Sequence, residues 1–173
     1  MVSAALTEDA RSRASRVRLL VTDCDGVLTD GSVYYSARGE ELKRFLMRDG
    51  MGVDRLRRLA GIETAIVTGE RSAALCRRAA KLAIRDVVLG ADDKAASLEE
   101  LAERYGLRLE ELGYLGDDVN DLGAIERVGF ASCPSDAMAE VAAAVHYVCM
   151  LPGGRGAFRE VAELLIEART GSS

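Results

Sequence analysis

The sequence predicts an α/β fold, namely a Rossmann-like parallel sheet covered by helices on both faces. Short apolar runs alternate with helical patterns along the chain, which is typical of such sheets. The composition, with 49% hydrophobic and 29% charged residues, is that of an ordinary soluble domain. A chain of 173 residues can bury a sizeable core, so we predict one domain over residues 1–173. Its polar beginning, residues 1–16, is predicted to be poorly ordered.

Five short apolar runs are the predicted strands, at residues 18–22, 64–68, 86–89, 113–116 and 129–132. Between them, apolar residues at helical spacing predict helices that end at Gly61 and Gly106, because glycine commonly follows the last residue of a helix. A last helix is predicted over residues 157–168. Ligands of open α/β sheets bind at the carboxyl ends of the strands, so we look for chemistry there.

One segment departs from the alternation. Residues 31–47, GSVYYSARGEELKRFLM, contain two β-prone runs around SARGEE and predict a small β-hairpin inserted after the first strand. The insertion is too short to form a separate cap domain, so the site is expected to be open unless another subunit closes it. Such a ribbon cannot bury its own apolar side chains, which are Val33, Tyr34, Tyr35, Leu42 and Phe45. We therefore expect the hairpin to pack against other copies of the chain.

Charge and cysteine content exclude several classes of function. The net charge of −5 gives no overall attraction to nucleic acid or to an anionic membrane. No apolar stretch approaches the roughly 20 residues that span a bilayer, and the N-terminus lacks a signal-peptide core, so a cytoplasmic location is expected. The four cysteines are far apart and the single histidine, His146, lies on a predicted short strand. This argues against a zinc site and a disulfide framework.

The stretch VTDCDGVLTD places two aspartates one residue apart at the end of the first strand. Like charges this close repel unless a cation lies beside them or one carboxyl is protonated. A carboxylate can attack phosphorus when a metal screens both charges, which makes Asp23 the candidate nucleophile. Asp25 is then placed to donate a proton to the departing oxygen and later to accept one from water. An Asx turn at the end of a strand is the structural alternative.

Three further polar signals follow later strands. Thr68, in VTGE, can offer its hydroxyl and nearby backbone amides to a phosphoryl oxygen. Its structural alternative is a helix cap, and the two roles can coexist. Lys94 lies in the first turn of a predicted helix, where the helix dipole disfavours a cation, so we expect an anion beside it unless it is a solvated surface lysine. GDDVND offers the carboxylates of Asp117 and Asp121, which suit Mg²⁺ unless they only cap a helix. Asp118 is the third carboxylate of this loop and the less certain member of the set.

Together the four signals resemble the haloacid dehalogenase superfamily of phosphohydrolases, and the resemblance covers nearly the full chain. It implies an aspartyl-phosphate intermediate on Asp23. It also implies a Mg²⁺ ion held by Asp23, the backbone carbonyl of Asp25 and Asp117, with Asp121 acting through water or from behind the ligands.

The hairpin, the segment MRDGMG and the late segment LPGGRGAFREV resemble one capless branch of that superfamily. It contains the 3-deoxy-manno-octulosonate 8-phosphate phosphatases and the 2-keto-3-deoxynononate 9-phosphate phosphatases. The resemblance implies a homotetramer whose neighbouring subunits help to close each site. Arg155, flanked by glycines, can approach a substrate carboxylate or lie in a surface loop.

The octulosonate enzymes usually carry arginine after the Thr-Gly pair, whereas this chain has Glu70 after Gly69. On a helix, Glu70, Arg78 and Lys81 fall within an arc of about 80°. The combination resembles the nononate type, although an ordinary solvated helix face has the same spacing. Gly69 and these three residues, with Arg155, are the predicted substrate-binding residues.

We therefore predict a Mg²⁺-dependent phosphomonoesterase for a sugar-acid phosphate, either 2-keto-3-deoxynononate 9-phosphate or a related nonulosonate, or else 3-deoxy-manno-octulosonate 8-phosphate. Two alternatives stay open. One is a catalytically silent, phosphatase-like assembly module, which the intact set of polar residues argues against. The other is a receiver-type phosphoacceptor domain, whose acceptor aspartate lies on a later strand than the DCDG arrangement allows.

Overall fold

The computed structural model describes residues 6–171 and has the predicted α/β architecture. The strands are β1 (Leu19–Thr22), β2 (Tyr34–Ser36), β3 (Gly39–Leu42), β4 (Glu63–Thr68), β5 (Asp86–Leu89), β6 (Leu112–Leu115), β7 (Phe130–Cys133) and β8 (Tyr147–Val148). The helices are α1 (Glu8–Ser15), α2 (Met47–Arg55), α3 (Ala73–Lys81), α4 (Lys94–Tyr105), α5 (Leu122–Ile125), α6 (Ala139–Ala144) and α7 (Ala157–Thr170). A π-helical turn, Leu56–Ala60, extends α2 to Gly61.

Six strands form one sheet in the order β5-β4-β1-β6-β7-β8, and every neighbouring pair is parallel. β1 lies between β4 and β6, with Thr22 opposite Ile66 and Leu115. The strand order reverses at β1, and the crevice beyond the carboxyl end of such a strand is where open α/β sheets bind ligands. Asp23 follows β1 directly, so the topology places the acid pair at this crevice.

Alternate residues of β1 face opposite layers of the core, as side chains on a strand must. Leu20 packs in the layer that contains residues of α1, α2, α3 and α7. Leu19 and Val21 pack in the other layer, with residues of α4, α5 and α6. The predicted cover of helices on both faces is therefore confirmed. Full burial of a leucine contributes about 1.5 to 3 kcal/mol, so both layers help to fix the central strand.

The predicted strands agree with the observed ones to within one residue at each end. The sheet has a sixth strand, β8, which begins directly after His146. The hairpin is confirmed as the antiparallel pair β2 and β3, which is a two-stranded sheet of its own.

The prediction of a poorly ordered segment at residues 1–16 is wrong for the part that forms α1. The hydroxyl of Thr7 accepts a hydrogen bond from the Ala10 N–H, and α1 packs beside α7 with Ala10 and Ala14 buried. Two alanines four residues apart form a small apolar stripe, which a polar sequence conceals. Residues 1–5 lie outside the described part of the chain. Within residues 6–171, no helix has the length and apolar character needed to cross a membrane.

Candidate active site

The carboxyl ends of β1, β4 and β6 meet at one open cleft of about 300 Å³. Its lining consists of Asp23, Asp25, Gly26, Gly31, Thr68, Gly69, Glu70, Asp117, Asp118 and Asn120. Three of the four polar signals in the sequence thus lie on one surface. The fourth, Lys94, reaches the floor of the cleft from the first turn of α4.

Asp23 is buried at the floor of the cleft and is held by two donors. One carboxylate oxygen accepts the Cys24 N–H at 2.7 Å, and the other accepts from the Lys94 Nζ at 2.8 Å. Burial and the nearby charge of Asp121 raise the pKa of Asp23 to about 6, against the opposing effect of Lys94. The expectation of an anion beside Lys94 is confirmed, and the alternative of a solvated surface lysine is wrong because Lys94 is buried.

Asp121 is fully buried and accepts four hydrogen bonds. Its Oδ1 accepts from the Lys94 Nζ and the Tyr114 hydroxyl, both at 2.6 Å. Its Oδ2 accepts the backbone N–H groups of Asp117 at 2.9 Å and Asp118 at 3.3 Å. Both oxygens are therefore used to hold the loop after β6. This arrangement favours the indirect role predicted for Asp121. Tyr114 was missed because a tyrosine in a strand is ordinarily a core residue.

Asp117 has the least satisfied carboxylate of the cleft. Its Oδ1 is buried without a hydrogen-bond partner among residues 6–171. Burial, and then the charges of Asp23 and Asp121, raise the pKa of Asp117 to about 7. Carboxylate oxygens of these three residues lie within 4.8 Å of one another. An unpartnered buried oxygen beside two other carboxylates fits a hard divalent cation, because such a cation supplies the missing partner and offsets the repulsion.

Asp25 has a cationic partner that the sequence reasoning missed. The Lys43 Nζ, from the end of the hairpin, lies 2.5 Å from the Oδ1 and 2.7 Å from the Oδ2 of Asp25. The Thr29 hydroxyl donates to the same Oδ1 at 3.2 Å. The negative charges of Asp23 and Asp25 are thus each compensated by a separate lysine. The run GEELKR does not indicate that Lys43 is buried or paired with Asp25, because alternating charges are typical of a solvated ribbon.

Thr68 is buried at the end of β4 and borders the cleft. Its hydroxyl oxygen accepts the Glu70 N–H at 3.2 Å, which shapes the turn toward α3. The alternative role as a helix cap is wrong, because the hydroxyl of Ser72 accepts the Leu75 N–H and caps α3. In the loop after β6, the side chain of Asp118 caps the short helical turn Val119–Asp121.

The structure separates the predicted substrate-binding residues. α3 begins at Ala73, so Glu70 lies in the loop before it, and the predicted helical arc that joined Glu70 to Arg78 and Lys81 is wrong. Glu70 borders the cleft, as Gly69 does. Arg78 donates to the Leu46 carbonyl oxygen at 3.2 Å, away from the cleft lining. Lys81 is exposed at the end of α3 and is also outside the lining.

Arg78 also corrects the prediction for the hairpin. Its guanidinium carbon lies 5.9 Å from the centroid of the Phe45 ring, and Phe45 packs against the core. Phe45 therefore does not share the exposure of the hairpin's other apolar residues.

The glycine-rich turn before α7 packs closely against the loop after β1, which borders the cleft. The Gly154 N–H donates to the Val27 carbonyl oxygen at 2.8 Å. A Cβ atom on Gly153 would lie only 1.8 Å from the Gly26 carbonyl oxygen, and one on Gly26 only 1.9 Å from the Asp117 Oδ2. Three segments thus approach more closely than side chains allow. Arg155 is exposed and lies outside the cleft lining. In this turn it is the neighbouring glycines, and not Arg155, that contact the loop after β1.

Comparisons with known proteins find relatives of similar sequence and similar structure. A family model described as haloacid dehalogenase-like hydrolase matches residues 79–151. The chain is 38% identical over 164 residues to 3-deoxy-D-manno-octulosonate 8-phosphate phosphatase from Yersinia pestis, and the match covers 95% of this chain and 87% of the relative.

Two solved structures are similar over almost the whole chain. One is the same-named phosphatase from Moraxella catarrhalis in complex with magnesium ion, phosphate ion and KDO; it has a TM-score of 0.91 at 36% identity and covers 95% of this chain and 94% of that one. The other is the cobalt-bound phosphatase from Haemophilus influenzae, with a TM-score of 0.89 at 37% identity and coverage of 91% and 92%.

Proposed function

This chain belongs to the haloacid dehalogenase-like hydrolases, in the branch of the 3-deoxy-D-manno-octulosonate 8-phosphate phosphatases, and we propose that it hydrolyses that sugar-acid phosphate. It is accordingly a phosphatase that uses Mg²⁺. The observation that carries the proposal is the convergence of Asp23, Thr68, Lys94 and Asp117 on one open cleft. Its support from the comparisons is the name shared by relatives that match most of the chain.

The proposed reaction has two steps at phosphorus. A carboxylate oxygen of Asp23 attacks the phosphorus, and the bond from phosphorus to the sugar oxygen breaks as that oxygen takes a proton from the Asp25 carboxyl. Water then attacks the phosphorus of the aspartyl phosphate while Asp25 accepts a proton. Phosphate leaves and Asp23 is restored. The Lys94 ammonium holds Asp23 in place, and the Thr68 hydroxyl at the cleft wall donates to a phosphoryl oxygen.

The carboxylates of Asp23 and Asp117 and the backbone carbonyl of Asp25 would hold the Mg²⁺ ion, with Asp121 ordering the loop behind them. When bound, Mg²⁺ supplies charge screening for the attack of one anion on another. The buried Asp117 Oδ1 is the residue atom that most needs such a partner, since the described residues offer it no hydrogen-bond donor.

A nine-carbon nonulosonate phosphate is a second candidate substrate, and Glu70 is the observation that favours it. Its side chain is exposed at the rim of the cleft, at the position where the octulosonate enzymes usually carry arginine. A carboxylate there would accept hydrogen bonds from sugar hydroxyl groups instead of pairing with an anion.

We also propose a cytoplasmic homotetramer. The hairpin exposes Tyr35 and Leu42 by 70% and 63%, an apolar surface that a partner would cover. Among the described residues, the cleft lining contains no lysine or arginine, and Lys94 at its floor and Lys43 beside Asp25 are already paired with carboxylates, so a sugar-acid carboxylate needs a cation from elsewhere. A neighbouring subunit is the simplest source.

The test is phosphate release by the purified protein with the octulosonate 8-phosphate, the nononate 9-phosphate and 4-nitrophenyl phosphate. We expect turnover that stops with EDTA and returns with Mg²⁺. Asp23→Asn should reduce turnover to background, and Asp25→Asn should reduce it by about 10² to 10⁴-fold. Asp54→Asn, at a partly exposed aspartate of α2 outside the cleft, is the matched control and should leave phosphate release unchanged. Near-normal release by Asp23→Asn, or full activity after metal removal, would contradict the mechanism. Steady turnover also separates an enzyme from a silent module or a receiver domain.

A further inference from the structure

A chain of polar contacts, with the buried side chain of Lys43 at its centre, joins the hairpin to two loops of the cleft. The Lys43 Nζ contacts both carboxylate oxygens of Asp25 and lies 3.4 Å from the Glu40 Oε2. The other carboxylate oxygen of Glu40 accepts from the Ser72 hydroxyl at 2.7 Å. Ser72 caps α3 directly after the Thr68 turn. The second strand of the hairpin, with Lys43 directly after it, thus bridges the loop after β1 to the loop after β4.

Lys43 differs from the hairpin's other cations. Its side chain is 0% exposed, whereas that of Arg44, which pairs with Asp30, is 44% exposed. Arg38 pairs with Glu41 near the tip and is almost fully exposed. Surface pairs of this kind contribute little, but a buried ammonium is costly unless carboxylates compensate it closely. The position of Lys43 is therefore fixed by Asp25 and Glu40, and the position of Asp25 by Lys43 in return. When Asp25 carries the proton that it donates, Glu40 remains as the carboxylate that compensates the Lys43 charge.

Asp25 needs such a fixed partner. It lies at the wall of an open cleft and precedes Gly26, whose positive φ of 78° turns the chain away from the strand. Apart from Lys43, the described hydrogen bond to its side chain comes from the Thr29 hydroxyl. A carboxyl group that transfers a proton must be aligned with the departing oxygen, and a small misplacement lowers the rate strongly.

We propose that Lys43 is a positioning residue for Asp25, and that it holds the carboxyl group in line with the oxygen that leaves phosphorus. This inference rests on the proton-donor role of Asp25 in the proposed function. It gives Glu40 and Lys43 a task within their own subunit, separate from that of the exposed apolar side chains of Tyr35 and Leu42. The Glu40–Ser72 hydrogen bond holds the hairpin against the loop that follows Thr68.

The experiment compares leaving groups. For each variant, kcat/KM is measured with 4-nitrophenyl phosphate, phenyl phosphate and the octulosonate 8-phosphate, because kcat/KM reports the steps up to departure of the leaving group. Nitrophenolate leaves without needing a proton, whereas an alkoxide needs one. All three esters are assayed on the same sample of each variant, so an inactive, misfolded fraction cancels in the ratio of any two kcat/KM values.

We expect Lys43→Met to lower kcat/KM for the octulosonate ester by about 10- to 100-fold and for 4-nitrophenyl phosphate by less than about 3-fold, with phenyl phosphate between them. Lys43→Arg should recover part of the loss, since it keeps a cation near Asp25. Arg44→Met removes a neighbouring exposed cation and should leave all three values unchanged.

Asp25→Asn separates the two ways in which the idea can fail. Suppose that Asp25→Asn lowers kcat/KM most for the octulosonate ester and least for 4-nitrophenyl phosphate, and that Lys43→Met does not. Lys43 then does not position the acid, although the proposed function stands. If Asp25→Asn lowers all three esters equally, Asp25 is not the proton donor, and both the role of Asp25 and the inference about Lys43 are overturned. Equal losses on all three esters for Lys43→Met alone would indicate only structural support.

Discussion

Asp23 and Asp25 carry like charges one residue apart, and each contacts its own lysine. Lys94 is predictable because a cation in the first turn of a helix opposes the helix dipole and so requires an anion. Lys43 is not, because its partner lies 18 residues away across a hairpin root that no sequence pattern describes. Tyr114 was missed for a similar reason, since its hydroxyl contact with Asp121 is a tertiary contact within the core. The partner of a residue could therefore be predicted where its local sequence position is unfavourable, as for Lys94, and not where the contact is purely tertiary.

The choice of substrate is expected to depend on Glu70. Glu70→Arg deletes hydrogen-bond acceptors at the rim of the cleft and adds a bulky cation. If the nononate phosphate is the substrate, its kcat/KM should fall by about 10-fold or more, while the octulosonate ester should lose less. Hydrolysis of 4-nitrophenyl phosphate should change little, because Glu70 lies beside the catalytic residues and not among them.

Measuring the three esters side by side decides the matter. Glu103→Arg makes the same change at an exposed position of α4 and is the control. Equal losses on all esters would mean that Glu70 supports the core chemistry or the fold. No loss on any ester would mean that Glu70 is an ordinary solvated residue.

At the scale of elements, the strands were easier to predict than the segments between them. Each strand is a short apolar run that ends in polar residues, so periodicity and burial agree. α3 was given the wrong beginning because Glu70 and Arg71 look helical, and only the Ser72 cap shows where the helix starts. The glycine-rich turn before α7 was read as a possible carboxylate site. Its observed contribution is the close backbone contact with the loop after β1.

Gly153→Ala tests that contact. The new Cβ atom would lie 1.8 Å from the Gly26 carbonyl oxygen, so the turn and the loop that carries Asp25 must move apart. We expect a loss of stability of about 1 to 3 kcal/mol, as for overpacking elsewhere, together with a fall in kcat/KM. Urea unfolding and the phosphate-release assay measure the two effects.

Gly123→Ala is the matched control, because its Cβ would meet only the Ala95 Cβ at an ordinary 3.9 Å within α5. It should leave stability unchanged or raise it slightly, since alanine favours a helix over glycine. If Gly153→Ala behaves like this control, the close contact does not position the loop.

At the scale of the whole molecule, the parallel sheet and its cover of helices followed from the alternation of strands and helices. The order β5-β4-β1-β6-β7-β8 was not predicted and comes from the structure. The order brings Asp23, Thr68 and Asp117 to one edge without any of them being adjacent in sequence. What the sequence could not supply was the charge balance of the buried regions. Asp49 is an example, since it lies in an apolar part of the core between α2 and α7.

The stability of the protein should depend on pH through Asp49. Burial raises the pKa of Asp49 to about 6, and its Oδ2 has no hydrogen-bond partner among the described residues. The unfolded chain titrates this carboxyl near pH 4, so between about pH 4 and 6 the folded state binds more protons and its free energy of unfolding falls as the pH rises.

Asp49→Asn should remove this dependence while keeping the acceptor for the Arg159 N–H. The difference in unfolding free energy between the variant and the wild type should change by on the order of 2 to 3 kcal/mol from pH 4 to pH 7. Urea unfolding with EDTA present measures it, and other titrating groups cancel in the difference. Asp54→Asn, at a partly exposed aspartate of the same helix, is the control. Parallel curves for Asp49→Asn and the wild type would exclude the assignment.

Assembly is the last expectation at this scale, and it depends on the exposed face of the hairpin. Tyr35 and Leu42 are exposed by 70% and 63%, and a two-stranded ribbon has no second layer to cover them. If this face joins subunits, Tyr35→Ser with Leu42→Ser should lower the molar mass measured by light scattering at micromolar concentration, because the interface loses apolar area. Activity on the sugar-acid phosphate should fall with the mass, since the cleft then loses the neighbour that would supply a cation. Leu59→Ser, at an exposed leucine outside the hairpin, should change neither. A wild-type protein that is strictly monomeric and fully active would rule out the shared site.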